Sequence, residues 1–120
     1  MGSAYLLPRI VGLGHASELL LTGEIIRAER MVEIGLANRL VDAEAVVETA
    51  MTLARQIAAG PAFSNAMTKK MLEDEASLSL EEAIEAEAQA QAICMAHPDF
   101  REAHDARVES RQPKFKDFAE

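Results

Sequence analysis

The chain has 120 residues, is 49% apolar and carries a formal net charge of −8. That balance excludes a disordered polymer and a multidomain chain, and a field of that sign repels nucleic acid and anionic membranes. Four Phe, one Tyr and no Trp leave Leu, Ile, Val, Met and Ala to build a core, which suits helices better than sheets.

The N-terminal stretch is punctuated by Gly and Pro. "AYLLPRIVG" predicts a short apolar helix or turn, disturbed at Pro8 and closed by Gly12. "HASELLLTG" predicts a second short helix ending at Gly23, and "AERMVEIG" a third with Gly35 at its C-terminal cap. "EII" and "NRLV" between them read as extended pieces too short for a sheet. Asp42 is the expected N-cap of a long helix. Val46, Val47, Ala50, Leu53, Ala54 and Ile57 form its apolar stripe at helical spacing.

Gly60-Pro61 is expected to end that helix and start the next, through Phe63, Met67 and Met71 to about Glu75. Ser79-Leu80-Glu81-Glu82 is a capping box opening an Ala-rich helix to about Ala96. His97-Pro98-Asp99 opens the last helix, to about Arg111, and Pro113 stops it. The expected fold class is all-α, six to seven helices, three short then four longer. One helical domain covers 1–120: short helices over 1–41, long ones over 42–111, and a tail over 112–120.

Chemistry-bearing patterns are sparse. Cys94, His97 and His104 can be drawn as metal ligands, but they straddle a helix junction and lack a convincing fourth, so no metal site is expected. Glu81, Glu82, Glu85 and Glu87 read as a solvated acidic face. No nucleophile elbow is present, and Gly12-Leu13-Gly14 reads as a turn. The lone Cys94 rules out an internal disulfide and fits a reducing compartment. No apolar run approaches the ~20 residues of a membrane span, and no secretion signal opens the chain. A cytoplasmic protein without nucleic-acid or membrane partners is expected. Over 101–116, Arg101, Arg107, Arg111, Lys114 and Lys116 outnumber Glu102, Asp105 and Glu109 by two. That segment is either a solvated helix face or a surface for an anionic ligand's phosphates.

"LPRIVG" followed by "ASELLLTGEIIRAERMVEIGLANRLV" resembles the enoyl-CoA hydratase/isomerase, or crotonase, family. The residues that carry the resemblance are Leu7-Pro8-Arg9, Val11-Gly12, Glu18-Leu19, Leu21-Thr22-Gly23, Ile26, Ala28, Gly35-Leu36 and Asn38. "GPAFSNAMTKKML", "SLEEAIEAEAQAQ" and "DFREAHDARVESRQPKFK" continue the likeness in order across nearly all of residues 2–117. Arg30 stands where the family has a small residue.

The resemblance implies the C-terminal helical region of such a protein, without the N-terminal core that carries the oxyanion hole and catalytic carboxylates. It therefore implies no catalytic residue here, no required cofactor, no turnover by this chain alone, and a homo-oligomer. It also suggests coenzyme A or an acyl-CoA as ligand, met by Arg107, Arg111, Lys114, Phe115 and Lys116. Arg107 takes the place of an adenine-contacting aromatic, and Ser110 that of a basic residue. A guanidinium at Arg107 can still stack on adenine or pair with a phosphate. Two other readings stay open: a free-standing helical self-association or partner-binding protein, and an enzyme assembled between chains.

Overall fold

The structure, a computed structural model, describes residues 1–115. Among them are six α-helices and no strand: α1 (Ser3–Thr22), α2 (Ala28–Glu33), α3 (Val46–Ala58), α4 (Ala62–Asp74), α5 (Leu80–Ala96) and α6 (Pro98–Val108). The all-α expectation holds. "EII" and "NRLV" form no strand. The chain divides into two compact units, Met1–Val47 and Glu48–Glu120.

In the first unit α1 is broken inside by Gly12, with φ 79° and ψ 160°. Only glycine adopts that conformation without strain, so the two short helices read from the sequence are the two arms of one kinked element. Gly23 ends the second arm in the left-handed region at φ 66°. α2 ends in a Schellman turn: Gly35, at φ 79°, donates to the Val32 carbonyl, and Leu36 donates to Met31. These turns gather Val11, Ala16 and Ile34 into a small core, flanked by Leu7, Leu19, Ile26 and Leu36.

In the second unit α5 packs against both α4 and α6. The buried residues there are small, Ala90 and Ala106, with the carboxylate residue Asp99. The capping box forms as read: Glu82 N–H donates to Ser79 Oγ and Ser79 N–H to Glu82 Oε2. α6 is capped by His97, whose Nδ1 accepts from Asp99 N–H, with Pro98 in the first turn. The His97 ring stacks on Phe63 at 4.5 Å between centroids.

Three local expectations are corrected. Asp42 makes no side-chain cap; a 3-10 turn over Ala43–Ala45 precedes α3 instead. Pro61 sits at the N-cap of α4, one position earlier than read, and Gly60 is not left-handed. Space at Gly60 is tight: a Cβ there would lie 3.0 Å from Asn65 Nδ2, which donates to the Ile57 carbonyl, and 3.2 Å from that carbonyl oxygen. Finally, α6 stops at Val108 rather than Arg111, because Ser110 turns left-handed at φ 55°.

No large side chain is fully buried among the described residues. The stripe read on α3 is real but open, with Val46, Val47, Leu53 and Ile57 all exposed.

Candidate functional site

The basic residues singled out from the sequence fall on the end of α6 and the segment after it. Arg107 lies in the last turn of α6, exposed and without an ion pair among the described residues. Arg111 is not free. Its Nη1 and Nη2 donate to the two carboxylate oxygens of Glu102 at 2.6 and 3.1 Å. Its Nε donates to Glu109 at 2.6 Å, and Nη1 also reaches the Gln112 carbonyl at 3.2 Å. The Lys114 backbone N–H donates to Glu102 as well, at 2.6 Å. Phe115 is half-buried, and Lys116 lies outside the described residues.

This arrangement sets the local charge. Hydrogen bonds from the Arg111 guanidinium first, and then from the Lys114 amide, hold Glu102 down at about 2. In turn, hydrogen bonds to Glu102 first, and then to Glu109, push the Arg111 guanidinium further up. Glu102 is therefore a carboxylate, and Arg111 a paired cation, throughout the neutral range. The structure thus splits the basic group: Arg107 and the Lys114 ammonium face solvent, while Arg111 is engaged within the chain.

The other sequence patterns resolve into local structure. Cys94, His97 and His104 do not assemble; no cluster of three or more metal-ligating side chains occurs among the described residues. His97 is held by Asp99 and Phe63, and His104 Nδ1 lies 3.2 Å from Asp105. In the acidic run, Glu82 closes the capping box and Glu85 accepts from Gln89. The hydrogen bond from the Ser79 backbone lowers the Glu82 carboxyl.

One hollow escaped the sequence reading. A cavity of about 210 Å³ in the first unit is lined by His15, Glu18, Leu19, Glu24, Ile26, Arg30 and Ile34. The residue that departs from the family pattern, Arg30, sits in its wall and pairs with Glu33 at 2.8 Å. That bond, with the nearby Glu18 and Glu24, raises the Arg30 guanidinium. The hollow is lined by residues from α1, from the loop after Gly23 and from α2, a gathering that residue spacing does not report.

The family model described as Enoyl-CoA hydratase/isomerase matches residues 1–118. The chain belongs to the enoyl-CoA hydratase/isomerase family. It is 32% identical to the 1,2-epoxyphenylacetyl-CoA isomerase of Escherichia coli (strain K12), over 95% of this chain and 44% of that protein. It is 30% identical to the crotonyl-CoA hydratase of Syntrophomonas wolfei, with the same shares covered. A crystal structure from Streptomyces coelicolor A3(2), assigned as an enoyl-CoA hydratase, superposes with a TM-score of 0.89 at 45% identity. It covers 96% of this chain and 42% of that one. The enoyl-CoA hydratase of Bacillus anthracis superposes with a TM-score of 0.89 at 30% identity, over 96% and 45%. This family member thus spans less than half the length of each of these four relatives. No described helix is long and apolar enough to cross a membrane.

Proposed function

We propose that this chain is the C-terminal helical portion of an enoyl-CoA hydratase/isomerase-type protein acting on acyl-CoA. It is not catalytic alone, it self-associates, and Arg107, Lys114 and Phe115 touch coenzyme A or an acyl-CoA. The observation that carries this reading is the family match over 1–118 by a chain spanning 44% of the Escherichia coli isomerase and 42% of the Streptomyces coelicolor chain.

The chemistry present supports it. Stabilising a thioester enolate takes preorganised donors aimed at the developing charge. The described carboxylates of α5 and α6 are instead committed to caps, ion pairs and solvent. The exposed apolar faces of α1 and α3 support assembly, since contiguous apolar surface marks interaction sites. The same faces also suit the second reading, a helical partner-binding protein without a CoA ligand.

The test is a two-dimensional amide NMR titration of the full chain with coenzyme A, alongside light scattering and a crotonyl-CoA hydration assay. The expected result is saturable shifts at Arg107, Lys114 and Phe115, a mass above the 13.1 kDa of one chain, and no turnover. Robust hydration by the purified chain, or a clean monomer, overturns the reading. Assembly with no response to coenzyme A selects the partner-binding alternative.

A further inference from the structure

Glu102 lies six positions before Val108, the last residue of α6, a little under two helical turns. Beyond the helix, Ser110 at φ 55° completes a Schellman turn: it donates to the Arg107 carbonyl, and Arg111 donates to Ala106. That reversal sends the chain back toward Glu102. Pro113 then restricts the following backbone. The Glu102 carboxylate meets the returning chain with three bonds, two from Arg111 and one from the Lys114 amide.

We propose that Glu102 is a positioning residue: its carboxylate clamps Arg111 and the Lys114 amide, and so holds residues 111–115 as a fixed strap along α6. Arg111 is consumed by the clamp. Four of the five N–H donors of a guanidinium are already directed, at Glu102 twice, Glu109 and Gln112. A phosphate arriving at Arg111 has to displace two carboxylates. Arg107 and the Lys114 ammonium, with no ion pair among the described residues, have no such competitor. The strap therefore sets where Lys114 and Phe115 stand relative to Arg107.

Bidentate, charge-assisted geometry is what gives the clamp its specificity. A lone exposed ion pair contributes little, but here one carboxylate fixes a side chain and a main-chain amide of the same segment. The energetic gain is local order rather than global stability.

The strap stands on the geometry alone; its use as a ligand surface rests on the coenzyme A reading above. The experiment is 15N relaxation on the full-length chain, on Glu102→Ala and on Arg107→Ala, each with and without coenzyme A. In Glu102→Ala the order parameters of the Lys114 and Phe115 amides fall from about 0.85 to below about 0.6, while the α6 amides stay rigid. Arg107→Ala keeps the strap ordered and loses the coenzyme A shifts. Unchanged order at Lys114 and Phe115 in Glu102→Ala overturns the clamp, whatever coenzyme A does. Order lost in Glu102→Ala, in a protein whose unmutated form never responds to coenzyme A, supports the clamp and overturns the ligand reading. As a second variant, Arg111→Lys keeps the charge but loses the bidentate fork. It loosens the same amides; a strap as rigid as the unmutated one also overturns the clamp.

Discussion

Residues 1–47 and residues 48–115 turn a helical chain by opposite means. In the first unit the reversals are written in backbone angles, with Gly12, Gly23 and Gly35 all at positive φ. In the second they are written in side chains. Ser79 and Glu82 cap α5, His97 caps α6, Asn65 closes the end of α3, and Glu102 gathers the segment after α6. The one positive φ of the second unit among its described residues falls on a serine, Ser110. The difference teaches that a glycine-set turn holds itself, whereas a serine-set turn depends on contacts beyond it.

The sharpest way to break that comparison is Gly12→Ala. Nothing lies within 4 Å of a Cβ placed there, so no clash contributes. The cost comes from φ 79° and ψ 160° alone, and is expected to be about 1–3 kcal/mol of stability. Denaturant unfolding measures it; an unshifted midpoint would mean that the kink is not set by the backbone. The second test has the opposite sign. Ser110→Gly removes the left-handed penalty of an L-residue and is expected to stabilise by roughly 0.5–1 kcal/mol. A destabilised Ser110→Gly would show that the serine contributes something the turn geometry does not reveal.

The smallest effect is a local one of pH. Glu102 is depressed to about 2 from its ordinary 4.5. A lowered carboxyl contributes order that is fully present above the unfolded value and lost as pH falls through the folded one. The strap is therefore expected to stay ordered down to about 4.5 and to loosen between there and about 2. The Lys114 amide shift, followed by NMR, reports it. Loosening of the strap well above that window would separate its order from the Glu102 charge.

Much of this molecule was legible in its sequence because its signals are local. The capping box at Ser79 depends on residues three apart, and Gly23 and Gly35 mark left-handed positions that few other residues tolerate. The family resemblance, carried by residues in order along the chain, was confirmed across 1–118. The misread details share a cause. Gly60 looks like a C-cap, but it serves the approach of Asn65 to the Ile57 carbonyl eight residues back. Arg111 looks like a free cation beside Arg107, yet its partner Glu102 lies nine residues earlier. The hollow around Arg30 is lined by residues of both α1 and α2, with His15 fifteen positions before Arg30 in the chain.

The sequence by itself determined the helical class, most helix boundaries and the family, because helix caps and apolar periodicity act over three or four residues. Only the tertiary structure decided which cations are spent and which are free, and which apolar stripes stay open. Those outcomes depend on a chain reversal at Ser110 and on which neighbour a face meets. A left-handed serine and a carboxylate nine residues away leave no periodic trace in the order of the residues.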